Sequence, residues 1–269
     1  MLVAVAFPFR FGLAYLIAIL TCLPLPARAE DAPLRPCIWV TAADEGLDVL
    51  RSPVQGTWEG YLLAAGFAGG LAIALQHDRD GYAVVQSRRD PWQDKIMPVA
   101  TLCGDGLFHL GTYAALYQFG GEHDRLVAAE AVEGQILVAV GSMLCKAAFT
   151  AARPTPEDAP DPRRWFTLDF SDASFPSGHA MTAFCAAAIL GQGYGAEWLT
   201  YPLAAVVAYS RVYNQRHFPA DVVAGAGLGL LIGQTVVAYH AWHDLSVPGV
   251  RFSAVPEPEG GKLVVTWAY

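Results

Sequence analysis

The chain has 269 residues with a formal net charge of -8, and 54% of them are hydrophobic. That length suits one large helical domain as well as two average ones, and no Ser/Gly linker or charge block divides it. The acidic balance excludes a general polyanion binder such as a nucleic-acid protein.

The first 29 residues read as an export signal peptide: Arg10, an apolar run from Phe11 to Leu25, then the small-x-small site Ala27-Arg28-Ala29. Cleavage before Glu30 is the favoured reading, although the apolar stretch ahead of Arg10 leaves an uncleaved anchor open. Residues 30–269 are then a single domain placed outside the cytoplasm, in a periplasm or its equivalent. Removing Arg10 and Arg28 leaves 15 basic against 25 acidic residues, a formal charge of -10. Six of those 15 cations, Lys146, Arg153, Arg163, Arg164, Arg211 and Arg216, lie between residues 146 and 221. An acidic chain that gathers its positive charge in one place is built to bind an anion there.

From Glu30 to Thr57 the sequence is mixed and irregular. Gly60–Gln76 reads as an apolar helix, His77–Lys95 as a polar, solvated connection, and Pro98–Phe119 as a helix carrying Asp105 and His109 four apart on one face. That pair is read first as a satisfied core pair. Glu122–Glu133 is a charged helix or connection, and Gly134–Ala152 an apolar helix. Further apolar segments cover 180–191, 198–209 and 222–239, and residues 250–255 and 262–267 flank a Pro/Gly turn, a hairpin pattern. The expected fold is all-α, a single bundle of about six core helices with a short C-terminal β-hairpin in 250–269. Cys103, Cys145 and Cys185 sit in apolar segments and read as small buried hydrophobes; no Cys-x-x-Cys pair points to a metal.

Three runs free of charge and histidine, 60–76, 180–196 and 222–239, reach 17, 17 and 18 residues, the threshold of spanning length. If the signal is cleaved and the segments at 60, 98 and 134 all span, Lys146 ends in the cytoplasm, out of reach of exported substrates. A globular bundle with unusually apolar helices is therefore expected, with membrane association left open.

Three polar clusters interrupt the apolar sequence where burial is most costly. Lys146 is followed at the seventh position by Arg153 and then Pro154, two turns along one helical face. Pro176-Ser177-Gly178-His179 opens an uncharged run, so Ser177 and Gly178 fall in a helix's first turn, where free amides bind anions. Its bland alternative is an ordinary serine N-cap. In the third cluster Arg211 precedes His217 by six residues and Asp221 follows by four, with Pro219 between. Pro219 puts Asp221 in the first turn of the next helix. There its carboxylate can fix the tautomer of His217 and leave the other ring nitrogen a nucleophile.

The pattern K-x6-R-P, P-S-G-H, S-R-x5-H-x3-D resembles the type 2 phosphatidic acid phosphatase superfamily, which includes bacterial nonspecific acid phosphatases, lipid phosphate phosphatases and vanadium haloperoxidases. The resemblance spans about 76 residues. It implies a phosphoric monoester hydrolase with His217 attacking phosphorus, Asp221 orienting it, and His179 protonating the leaving alkoxide. Lys146, Arg153, Ser177, Gly178 and Arg211 would hold the phosphate oxygens. It further implies no metal and no cofactor, vanadate as an inhibitor, and a lipid phosphate or small soluble phosphomonoester as substrate. The alternative on the same residues is a vanadate-dependent haloperoxidase. The 21 residues between Pro154 and Pro176, rich in aromatics, read as a lid over the site or as a long loop packed on the body.

Overall fold

The computed structural model describes the backbone of residues 58–154, 165–167, 173–243, 250–257 and 260–267, and side chains from 65 to 241 within those ranges. The signal segment, the lead-in to Thr57 and most of the 155–172 stretch lie outside the described residues.

Eight helices, rather than about six, form the body among the described residues. In chain order they are α1 Trp58–Gln76, α2 Asp78–Ser87, α3 Gln93–Leu102, α4 Gly106–Phe119, α5 Glu122–Phe149, α6 Gly178–Tyr194, α7 Glu197–Tyr213 and α8 Pro219–His243. Beyond them, β1 Val250–Glu257 and β2 Gly260–Trp267 run antiparallel, with Val250 opposite Trp267.

The differences from the sequence reading each have a local cause. The stretch expected as a solvated connection contains α2, whose first turn carries Asp78 and Asp80, where the helix dipole favours carboxylates. Asp78 is buried rather than solvated, and its Oδ1 accepts from the Ala220 amide at 2.7 Å. The run from Pro98 to Phe119 breaks at Cys103-Gly104 because the Asp105 side chain caps a new helix, accepting from the Leu107 amide at 2.8 Å. Between Glu122 and Phe149 nothing breaks the helix, and the charged and apolar halves form one 28-residue element.

α6 lies at the centre of the bundle. Ten of its residues are buried, from Ala180 to Gly191, and an all-round apolar helix of this kind must be enclosed by its neighbours. α5 packs one side of it through Val138, Val132 and Ala128 against Met181, Cys185 and Ile189. α8 packs another side more closely. A Cβ added at Gly225, Gly229 or Gly233 would stand 2.5, 2.2 and 2.7 Å from the backbone oxygens of Ser177, Met181 and Cys185. Both series step by four residues, so a glycine ridge on α8 seats directly on the α6 backbone. At the far end of the same bundle His240 of α8 meets Glu133 and Glu130 of α5, a buried imidazole–carboxylate contact between the two longest helices.

Much of the outer surface is apolar. Val99, Leu102, Leu107 and Phe108 on α3 and α4, Met143 and Leu144 on α5, and Trp198, Leu203 and Val206 on α7 are all exposed. α5 and residues 219–241 of α8 are long and apolar enough to cross a bilayer. Exposed apolar area on this scale weakens the expectation of a globular soluble bundle and favours membrane association.

The glycine ridge yields a stability prediction. Gly229→Val should cost about 1–3 kcal/mol or more, because the new side chain meets backbone that cannot rotate away. Gly66→Ala on α1, where nothing stands within 4 Å, should be neutral or stabilise by up to about 1 kcal/mol. Thermal unfolding of the two purified variants beside the parent chain checks the contrast; equal midpoints would mean that α6 and α8 do not depend on the ridge.

Candidate active site

Four helix ends meet at one end of the bundle: the C-termini of α5 and α7 and the N-termini of α6 and α8. Each brings one part of the three sequence clusters.

Lys146 lies in the last turn of α5. The helix stops at Phe149, where Thr150 takes a left-handed φ of 37° and its amide closes on Lys146 O at 2.9 Å. Arg153 therefore does not lie two turns along the same helix, as the spacing had suggested. The turn at Thr150 brings it back instead, and Lys146 feels the charges of Arg153, Arg211 and Asp221.

Ser177 is the residue before α6 and is fully buried. Its hydroxyl makes no capping bond, so the ordinary N-cap reading does not describe it. Ser177 Oγ is instead a buried donor with no hydrogen-bond partner, as is Arg211 Nε on α7. Two unsatisfied donors at one helix mouth fit an oxyanion, since leaving them unpaired is expensive. Gly178 opens the helix beside Ser142 and adds its amide to that mouth.

Arg211 is held in place from α3. The Ser210 hydroxyl donates to Val207 O at 2.6 Å, so Thr101 Oγ1 donates to Ser210 Oγ at 2.8 Å, and it accepts from Asn214 Nδ2 at 2.9 Å and from Arg211 Nη1 at 3.5 Å. Ser210 of the third motif thus serves the α3–α7 contact. Arg216, counted among the clustered cations, is exposed.

His217 and Asp221 are both buried. Their closest approach, Nδ1 to Oδ2, is 3.5 Å, longer than a good hydrogen bond. Ser174 fills the gap: its hydroxyl donates to Asp221 Oδ2 at 2.6 Å and lies 3.2 Å from His217 Nδ1. Because the hydroxyl proton is committed to the carboxylate, Nδ1 must be the donor to Ser174 Oγ. That fixes the tautomer with a free lone pair on Nε2. The Phe218 amide also donates to Asp221 Oδ2, at 2.9 Å, and the Ser177 amide donates to the Asp221 carbonyl at 2.9 Å. Burial holds the His217 imidazole down at about 4, against the opposing pull of Asp221, so the ring is neutral at pH 7.

His179, in the first turn of α6, is half-buried and stands within the fields of Arg211, Asp105, His217 and Lys146. Burial first, then the Arg211 cation, depress it to about 4 as well. Asp105 and His109 do not form a pair through their side chains. Asp105 caps α4, while His109 uses both ring nitrogens, on Cys103 O at 2.7 Å and Tyr113 Oη at 3.1 Å. They are structural groups, with Asp105 also acting on His179 at longer range.

Sequence reasoning missed Ser174, Thr101 and Asp78. Ser174 lies two residues before the Pro-Ser-Gly-His cluster, inside the stretch read as a lid; it is reachable only as a small polar residue fully buried beside that cluster. Trp165 and Phe175 from the same stretch stack edge-on with each other and with Phe149, which packs this part of it onto the body.

Comparison with known proteins agrees with this constellation. Residues 128–244 match the model of the PAP2 superfamily. Over 66 residues the chain is 39% identical to the lipid A 1-phosphatase of Porphyromonas gingivalis, covering 23% of this chain and 15% of that one. Over 66 residues it is also 38% identical to the decaprenylphosphoryl-5-phosphoribose phosphatase of Mycobacterium tuberculosis, covering 24% and 37%. The matches thus take in well under half the length of these curated relatives. Among solved structures, Aquifex aeolicus LpxE aligns with a TM-score of 0.46 at 24% identity, over 59% of this chain and 93% of that one. The matched residues 128–244 carry every group from Lys146 to Asp221, and over that stretch the chain is similar to the PAP2 superfamily.

Proposed function

We propose that this protein is a membrane-associated phosphatase that hydrolyses a lipid phosphate monoester outside the cytoplasm through a phosphohistidine intermediate. The observation that carries the reading is the buried, neutral His217 with Nδ1 committed and Nε2 free, set beside unpartnered donors on Ser177 and Arg211. The lipid substrate is supported by the exposed apolar surface around the bundle and by relatives named for lipid A and a decaprenylphosphoryl sugar. The extracytoplasmic side is supported by the export-signal pattern read in the sequence of residues 1–29.

In this reading Nε2 of His217 attacks phosphorus in line. The phosphorus–oxygen bond to the lipid breaks, and its electron pair leaves on the alkoxide oxygen, which takes a proton from His179. His217 becomes an imidazolium phosphoramidate, stabilised through Ser174 and Asp221. His179, now neutral, removes a proton from water as the oxygen adds to phosphorus, and inorganic phosphate and free His217 result. Lys146, Arg153 and Arg211, with Ser177 Oγ and the Gly178 amide, hold the equatorial oxygens as charge shifts between them. The protein's own cations supply the charge a metal would otherwise bring.

The decisive test is phosphate release by the purified full chain in detergent, with EDTA, from phosphatidic acid in mixed micelles and from p-nitrophenyl phosphate. Undiminished turnover in EDTA, blocked by vanadate, is expected; no release from either compound would overturn the reading. His217→Ala should abolish both turnover and acid-labile phosphoenzyme. Ser174→Ala, which removes only the hydroxyl that orients the ring, should lower kcat roughly 10–100-fold with KM little changed. A Ser174→Ala enzyme with normal kcat would show that Asp221 orients His217 alone.

The histidine values set a pH profile. His217 must be neutral to attack, and it takes up a proton only below about 4. The proton for the leaving group enters with the substrate monoanion, whose second ionisation lies near about 6. The profile of kcat/KM should therefore be flat between about pH 4 and about 6, falling below and above. Both depressed histidines also bind protons near 6.5 when unfolded, so stability should fall as pH drops from 6.5 toward about 4. A kcat/KM limb centred near 6.5 on the acid side would contradict the buried, neutral His217.

A further inference from the structure

Within the eight helices, every serine and threonine hydroxyl other than that of Ser142 is hydrogen-bonded to a described group. Most close locally onto a carbonyl of the preceding turn, as Ser210 does on Val207 O at 2.6 Å and Thr235 on Leu231 O at 2.8 Å. Others reach a neighbouring helix, as Thr200 does to Ala187 O at 2.9 Å. Ser142, on α5, is 9% exposed, yet its Oγ makes no hydrogen bond to any described residue. It forgoes even the back-bond to the carbonyl four residues earlier that its helical position offers.

The hydroxyl lies beside the first turn of α6. A Cβ built on Gly178 would meet one atom within 4 Å outside its own neighbourhood, Ser142 Oγ at 3.5 Å. Gly178, His179 and Ala180 carry the orphan amides of that turn. The first backbone bond of α6 runs from the Met181 amide to Ser177 O at 3.0 Å, and no side chain caps the helix. A serine oxygen can accept from such an amide, but Ser142 does not. Hydroxyl and amides border one space without bonding to one another, as donors do when their acceptor belongs to a ligand.

The position on α5 ties this hydroxyl to the site's cation. Ser142 precedes Lys146 by four residues on one helical face, and side chains lean toward the helix N-terminus, so the Lys146 stem lies over Ser142. At the adjacent residue, a Cβ added to Gly141 would stand 3.7 Å from Met181 Cε and 4.0 Å from Ile232 Cδ1. This turn of α5 therefore faces α6 and α8, the two helices whose N-termini frame the site. The nearby thiols do not share the position. Cys145 is half-buried, Cys103, read from sequence as a buried hydrophobe, is exposed, and neither comes within 4 Å of the Gly178 Cβ direction.

We propose that Ser142 is a further phosphate-binding residue, whose hydroxyl donates to the phosphate oxygen that the Gly178 amide also holds. The proposal rests on the phosphatase reading and adds a ligand outside the three motif clusters, one turn before Lys146. The bond that Ser142 lacks in the free chain is then made to the anion, where a charged acceptor makes it strong.

Ser142→Ala separates binding from folding. With the full chain in detergent, calorimetric titration should show orthovanadate and inorganic phosphate bound about ten- to a hundredfold more weakly by the variant, the range for a hydrogen bond to a charged group. KM for p-nitrophenyl phosphate should rise in step while kcat stays within about threefold, as for a contact made equally before and during transfer. The thermal midpoint without anion should be equal or higher, because the folded chain loses no hydrogen bond and Ala is the better helix former. Ser142→Thr, which keeps the hydroxyl, should bind vanadate within about threefold of the parent. Unchanged anion affinity in Ser142→Ala overturns the proposal. A fall in kcat at unchanged affinity also overturns it and assigns the hydroxyl to the attacking water instead. Weakened binding that comes with a lowered midpoint and is not restored by threonine makes Ser142 structural and overturns it equally. A parent chain that binds neither anion refutes both readings. A parent that binds vanadate but releases no phosphate refutes the phosphatase reading alone, and the Ser142→Ala titration still decides whether this hydroxyl holds an oxyanion.

Discussion

The site depends on how closely α8 lies against α6. The amide of Ser177 donates to the carbonyl of Asp221 at 2.9 Å, and three glycines of α8 rest on the α6 backbone behind it. This contact joins the second and third motifs, separated by some forty residues of chain, at backbone level. Side-chain hydrogen bonds alone would leave the positions of Ser177 and His217 to rotamers; backbone contact fixes them before any side chain is placed. The Asp78 carboxylate on the Ala220 amide extends the same clamp to α2.

That rigidity allows the site to hold polar groups that are poorly satisfied. Ser177 Oγ and Arg211 Nε are buried without partners, and two imidazoles are held neutral by desolvation. Each is unfavourable in the free protein, and each would become favourable around the phosphate of the proposed substrate, whose oxygens would accept from the donors and whose charge would draw a proton toward His179. On that reading, binding energy is withheld from folding and released on the anion. The Asp221 carboxylate, by contrast, is well supplied, with Ser174 and the Phe218 amide on one oxygen, as a group with a fixed orienting role should be.

The sequence disclosed the parts of this arrangement that depend on local chain chemistry. Pro176, Gly178 and Pro219 mark helix starts by backbone rules, and the structure begins α6 at Gly178 and α8 at Pro219. The family resemblance followed from the spacing of the polar residues. What stayed hidden depends on tertiary contact. Asp78 reads as one more solvated acid in a polar stretch, because its partner amide lies 142 positions away. Ser174 is an unremarkable serine until Asp221 and His217 close around it. The seven-residue spacing of Lys146 and Arg153 suggested a shared helical face, but the left-handed Thr150 ends the helix and achieves the proximity by a turn. Periodicity also joined α3 to α4 and split α5, since a cap at Asp105 outweighs hydrophobic pattern and a change from charged to apolar sequence does not end a helix.

The helix directions give the site its electrostatic order. α6 and α8 present their N-termini, so their free amides and partial positive charge face the proposed anion site. α5 and α7 present their C-termini, where the partial negative charge favours Lys146 and Arg211 over any acidic residue. The alternation follows from antiparallel packing of the pairs α5–α6 and α6–α7–α8, and requires no residue beyond those that end the helices. An up-and-down bundle of this connectivity has two such ends, and the other carries Glu130, Glu133 and His240 instead. There carboxylates meet an imidazole, and these groups satisfy one another. Backbone direction therefore prepares the anion site, while the choice of side chains decides which end of the bundle becomes one.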